Sequence, residues 1–253
     1  MGSPDASGPK ILFHLAAKSD VPYCNSHREA CFQSNIMYAI QEIEEAVRNG
    51  YKAVVLSTTD KVYGEVTKPH GAEEGDPLLG SGIYESSKVA IDVIARSYSS
   101  LLPIAVVRCA NFIGPDDPHQ SRIIPSIINA VNNKTPLKLR GDGSAIRDWL
   151  NVDDACAGFV RVAKLLQDNP GKFSGSAWNF SMESPIAIKE LVELVCKIHA
   201  ISSPPVQFGE EIPEIKRLAV CALKARTILD WHPRFSLAQS IEQLPINVLC
   251  DQS

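Results

Sequence analysis

The chain has 253 residues, enough for one large domain or two small ones with a substantial core. With 45% apolar and 21% charged residues and a net charge of −4, it has the balance of an ordinary globular protein, without the basic excess that nucleic acid or an anionic membrane would attract. No apolar run approaches the roughly 20 residues of a membrane span. Seven cysteines, an odd number placed singly without a CxxC pair, argue against a disulfide framework or a metal site and for a reducing, cytoplasmic setting.

Residues 1–9, small, polar and rich in breakers, are expected to be a disordered lead-in outside the fold. The first ordered segment is "KILFHLAA", an apolar run too short for a helix and hence a buried strand. Ile36, Ile40, Ile43 and Val47 then form a helical stripe that stops at Gly50. "KAVVLST" reads as a second strand, Tyr84–Leu102 as a helix with Ile91, Ala95, Tyr98 and Leu102 on one face, and "PIAVVRCAN" as a third strand. This alternation predicts right-handed crossovers and a parallel sheet, whose ligands lie beyond the carboxyl ends of the strands. Those ends carry His14–Ala17, Thr58–Lys61 and Arg108–Asn111.

Past Asn111, Ile124, Ile127, Ile128 and Val131 predict a helix, "PLKLRGDGSAIRDW" a short strand and loop, and Val152–Leu166 a further helix. "SAWNFS" is expected to add a fourth strand to the main sheet. Helices near Ile188–His199, Leu223–Trp231 and Leu237–Val248 complete the chain.

The stretch "LSTTDKVYGE" ends a buried strand in hydroxyls and charges that a sheet interior would reject, so the strand stops there and delivers Thr59, Asp60 and Lys61 to a pocket. In "YESSK", Tyr84 and Lys88 are four residues apart and share the helical face that continues through Ile91 and Ala95. A lysine on a core-facing stripe needs a partner or a cavity. Its ammonium is expected to draw the Tyr84 pKa down from near 10, towards that of a general base. On its own this spacing is common in helices as a pair at the core edge. The planar fork of Arg147 suits a phosphate, although a surface ion pair with Asp148 or Asp153 would account for it equally well.

Taken in order, "HLAA", "STTDKVYG", "YESSK", "RCANFIGP" and "IRDWLNVDD" resemble the extended short-chain dehydrogenase/reductase family, the nucleotide-sugar epimerases and dehydratases, over about Ile11 to Ile241. The Thr59-Asp60-Lys61 triplet looks like the CDP-glucose 4,6-dehydratase branch. The resemblance implies an α/β fold, a partial Rossmann-like parallel sheet over residues 10–115 and about 152–182, with a smaller interleaved nucleotide-sugar lobe over 116–151 and about 183–250. It implies NAD as cofactor, met by Leu15, Ala16, Ala17, Tyr84 and Lys88, and a nucleotide-diphosphate sugar gripped by Asn111 and Arg147. Tyr84, Thr59 and Lys88 would serve the 4-hydroxyl, Asp60 the departing hydroxyl, and Lys61 the C5 proton.

One family feature is missing from this sequence. The glycine-rich turn that lets the backbone approach the cofactor pyrophosphate has no counterpart, and "ILFHLAA" corresponds to the family's fourth strand. NAD is therefore expected to bind weakly: losing about 4 kcal/mol of charge-assisted hydrogen bonding costs about a thousandfold in affinity. The first strand is expected to form a long apolar edge for a homodimer or partner chain to cover. A non-catalytic nucleotide-sugar-binding or scaffold protein and a 4-epimerase are the competing readings.

Overall fold

The computed structural model describes residues 10–209 and 215–246. The lead-in and the last residues of the expected C-terminal helix lie outside the described residues.

Strand β1 (Ile11–His14) opens the fold. Instead of one helix beginning near Ile36, a short helix α1 (Val21–Ser26) is followed, after a break at His27, by a continuous helical run from residue 28: α2 (Arg28–Phe32), a π-helical stretch Gln33–Met37, and α3 (Tyr38–Arg48). The Asp20 side chain starts α1 by accepting the Tyr23 N–H at 2.9 Å, and Pro22 sits in the first turn, where a missing N–H costs nothing. The π turn carries one residue more than an α turn, and Asn35 within it is only 1% exposed. The run stops at Gly50, whose φ of +61° suits glycine, with the Gly50 and Tyr51 N–H groups donating back to Val47 and Ala46.

β2 (Ala53–Thr59) leads through a tight 3-10 turn, Asp60–Tyr63, and a long loop into α4 (Ile83–Ser97) and then β3 (Ile104–Cys109). The loop is held down at Gly71, whose φ is +88° and where a Cβ would stand 2.7 Å from the Val220 carbonyl carbon. Next come β4 (Asn111–Ile113), α5 (Ile123–Asn132), β5 (Leu137–Leu139), β6 (Ile146–Arg147) and β7 (Trp149–Asn151). Helix α6 (Val152–Asp168) is capped by Asn151, which accepts the Asp153 N–H at 2.9 Å. After α7 (Pro170–Phe173) and β8 (Ser176–Phe180), the chain continues through β9 (Ile186–Ala187), α8 (Ile188–Ile198), β10 (Val206–Phe208), α9 (Leu223–Leu229) and α10 (Leu237–Glu242).

The main sheet is parallel throughout, in the order β1-β2-β3-β8. Its alternation sorts two cores. Val54, Leu56, Ile104 and Val106 face Ile43, Ile91 and Ala95 of α3 and α4. Ala53, Val55, Val107, Trp178 and Phe180 face Phe159 and Val162 of α6 and Trp231 beyond α9. Helices on both faces explain why the strands read as unbroken apolar runs. A further core gathers Ile113, Ile127, Leu137, Trp149, Leu191, Val195 and Ile241 from the remaining elements.

β1 is an edge strand, but a short one. It has four residues; Ile11 and Leu12 are half-buried against the two cores and Phe13 is 38% exposed, so the long bare edge expected from sequence is not what forms. No helix among the described residues is long and apolar enough to cross a membrane.

Candidate active site

The carboxyl ends of β1, β2 and β3 open on a cavity of about 390 Å³ roofed by α5, β5 and β6. Thr59, Lys61, Tyr84, Lys88, Asn111, Arg147, Leu15 and Ala17 all line it. Ala16 does not: it is exposed, outside the lining that its neighbours on both sides join. Asp60 is also absent from the wall, 1% exposed behind Thr59.

Thr59 organises the group. It is the last residue of β2, and its hydroxyl caps the 3-10 turn by accepting the Lys61 N–H at 3.3 Å. The same hydroxyl donates to Asp60 Oδ1 at 3.0 Å and lies within hydrogen-bond reach of the Tyr84 phenol. Asp60, Thr59 and Tyr84 therefore form a hydrogen-bonded chain, with Asp60 Oδ2 left without a partner. Burial pushes the Asp60 carboxyl up to about 6, against the opposing pull of Lys61, the Thr59 hydroxyl and Arg147. Burial pushes the Lys61 ammonium down, with Asp60 and Glu85 opposing, and its Nζ stands 5.7 Å from the centre of the Tyr84 ring.

The expected effect of Lys88 on Tyr84 is not what the geometry gives. Burial raises the Tyr84 phenol above its usual range, and the Asp60 carboxylate raises it further. The Lys88 ammonium donates instead to the Ser57 carbonyl at 3.1 Å, and burial lowers its own pKa to about 8. The nearby charge that governs the phenol is an anion, so in this geometry Tyr84 holds its proton.

Asn111 lines the cavity while its amide donates to the Asp148 carbonyl at 3.2 Å. Arg147, buried, donates to the Ile146 carbonyl at 2.8 Å and its charge is felt at Asp60.

Two sets of residues went unread in the sequence. Asn35 binds both the N–H and the carbonyl of Lys18, at 2.7 and 3.0 Å, and donates to Ser87 Oγ at 2.9 Å, fixing the wall after β1 against α4. Lys138 and Arg140, with Arg122, bring the cationic lining to six Lys and Arg against two Asp, in a chain that is acidic overall. The alternation in "LKLR" was the available signal: Leu137 and Leu139 are buried, and the two basic residues between and after them point the other way.

The family model of the NAD dependent epimerase/dehydratase family matches residues 3–174. The chain belongs to that family. It is 28% identical to the CDP-glucose 4,6-dehydratase of Salmonella typhimurium over 251 residues, covering 93% of this chain and 69% of the relative. It is also 28% identical to the dTDP-glucose 4,6-dehydratase of Streptomyces griseus, covering 94% and 73%. Among solved structures, a dTDP-glucose 4,6-dehydratase from Streptomyces venezuelae with NAD bound superposes with a TM-score of 0.84 at 24% identity, over 95% of this chain and 73% of that one. A UDP-glucose 4-epimerase from Thermotoga maritima gives 0.82 at 21% identity, over 93% and 75%. The structural likeness is one of fold, a Rossmann-like parallel sheet.

Proposed function

We propose that this epimerase/dehydratase family member removes water across C5 and C6 of a nucleoside-diphosphate glucose, CDP-glucose being the first candidate. The observation that carries the reading is the buried, half-partnered carboxylate of Asp60, one hydroxyl away from Tyr84 at the wall of a cationic cavity. A 4-epimerase has no use for that group or for Lys61. Arg122, Lys138, Arg140 and Arg147 around the cavity suit a diphosphate, with Asn111 and Arg147 its expected grip.

The residue types and their order allow the protons to balance. Tyr84 takes the proton of the sugar 4-hydroxyl as its own passes through Thr59 to anionic Asp60. Lys61, whose amine burial makes accessible, removes the C5 proton next to the new 4-keto group. Asp60, which does not itself reach the cavity, then returns its proton through the Thr59 hydroxyl to the departing C6 hydroxyl, which leaves as water, and Lys61 returns the C5 proton. The residues present fit the nicotinamide end of NAD, since Leu15, Ala17 and Lys88 share the cavity with Tyr84. NAD when bound would accept the C4 hydride and return it to C6. The second reading is a nucleotide-sugar-binding protein without turnover, which would bind the sugar nucleotide and not NAD.

Calorimetric titration of the purified chain with NAD, with and without CDP-glucose, followed by an assay for the 4-keto-6-deoxy sugar at saturating NAD, tests this. We expect turnover that Tyr84→Phe lowers by about a hundredfold or more, a usual size for loss of a general base. CDP-glucose binding with no NAD binding and no product would leave the binding protein as the function.

A further inference from the structure

Behind the cavity lies a second polar cluster that the reaction above does not use. Arg108 on β3, 1% exposed, forks onto Asp92 of α4 through Nε and Nη2, both at 2.8 Å. Its Nη1 donates to the Tyr63 hydroxyl at 2.8 Å and to the Glu74 carbonyl at 3.1 Å. The Tyr63 hydroxyl in turn donates to Asn179 Oδ1 at 2.7 Å, and Thr58 Oγ1 reaches Asp92 at 3.3 Å.

A buried ion pair is a poor source of stability, because desolvating both charges offsets most of their attraction. What this one supplies is geometry. Asp92 lies one helical turn beyond Lys88, so Arg108 fixes the helix that carries Tyr84 and Lys88. Tyr63 closes the turn that begins at Asp60. The two halves of the constellation, from separate elements, meet at one planar guanidinium.

We infer that the Tyr63 hydroxyl, locked between Arg108 and Asn179, is a positioning group that holds the Asp60–Lys61 turn in register with the Tyr84–Lys88 helix. The inference rests on the dehydratase reading for its purpose, but not for its test. Without the hydroxyl the turn is free to shift off α4, and Asp60 gains access to water. The Asp60 carboxyl is surrounded by Lys61 on its own turn, Tyr84 on α4, Cys109 on β3, Arg147 on β6 and Asp148 between β6 and β7. Of these the variant changes none.

The experiment is Tyr63→Phe in the full chain, with Tyr98→Phe, a hydroxyl bonded to Glu44 away from the site, as control. Carboxyl-carbon NMR follows the Asp60 titration, expected at about 6 in the parent. We expect Tyr63→Phe to move it down by about one pH unit, a tenfold change in acid dissociation, and Tyr98→Phe to leave it in place. With CDP-glucose, kcat should fall about tenfold with KM within about twofold, the pattern of an interaction made in the transition state. An Asp60 titration displaced by less than about half a unit, with only the melting temperature lowered, would overturn the inference and leave Tyr63 a packing residue. Should Tyr63→Phe fail to fold, Asn179→Ser frees the same hydroxyl from its other side and is held to the same outcomes. A parent chain that turns nothing over would sink the dehydratase reading, and the NMR result would still decide this one.

Discussion

Asp60→Asn is expected to melt higher than the parent at pH 7.5 and to make no dehydrated sugar. The sign follows from burial. The Asp60 carboxyl is raised from 3.8 to about 6 in the fold, so the folded chain holds this proton more tightly than the unfolded one. Above pH 6 the fold carries an ionised, half-partnered carboxylate, at a cost of about 3 kcal/mol; as pH falls from 6 towards 4 that cost disappears. Asparagine keeps the shape and can still accept from Thr59 without the charge, while Lys61 loses a neighbouring anion and gives part of the gain back. A net gain of about 1–2 kcal/mol, or about 2–8 °C for a chain of this size, is the expectation at pH 7.5. The gap between variant and parent should close by about pH 4. A variant that melts lower than the parent at pH 7.5 would mean that Asp60 is not held as a costly buried anion. The same sign governs turnover. Asp60 must begin as the anion to receive the 4-hydroxyl proton, so kcat of the parent should decline as pH drops through about 6. Any 4-epimerase activity should survive Asp60→Asn, and equal loss of both activities would undo its assignment to the elimination.

The second large effect is expected at Arg108. Arg108→Ala removes both bonds to Asp92 and leaves that fully buried carboxylate with Thr58 and with Arg96, whose Nε is 3.2 Å away. Breaking one side of a buried pair costs about 3–5 kcal/mol, which for a chain of this length lowers the melting temperature by about 6–20 °C. Asp92→Leu with Arg108→Leu takes out both buried charges and should lie well above Arg108→Ala in stability, because no buried carboxylate is stranded and Arg96, 35% exposed, can turn to water. Urea unfolding of the parent, Arg108→Leu, Asp92→Leu and the double gives the coupling directly. Additive losses would show that the pair is not a unit.

The contrast between these positions shows where sequence reading succeeds. β2 and β3 were legible because a strand buried on both faces leaves an unbroken apolar run, and Thr59–Lys61 stood out because that run ends in polar groups. Tyr84 and Lys88 needed only the helical period. Helices α1 and α2 were not legible, since their buried residues are only Cys24 and Cys31 and no stripe forms. Asn35 was hidden for a related reason: its inward position depends on the π turn, which breaks the period from which faces are counted. The charge state of Tyr84 was misread because it depends on where Lys88 turns. That is set by the Ser57 carbonyl, which spacing along one helix does not contain.

The interleaving of the chain through the main sheet also bears on how the protein is made. β8 joins β3 across 70 intervening residues, at Ala105 and Ser176, and the core beneath them is closed by Trp231, whose ring meets Phe180 edge-on at 4.7 Å. Trp231 belongs to the same cluster as Val55 and Val107. That core is therefore incomplete on every nascent chain from which residue 231 has yet to emerge. At about 5–20 residues per second, the 176 residues from Val55 to Trp231 take about 9–35 seconds to synthesise, during which one apolar face of the growing sheet lacks part of its cover.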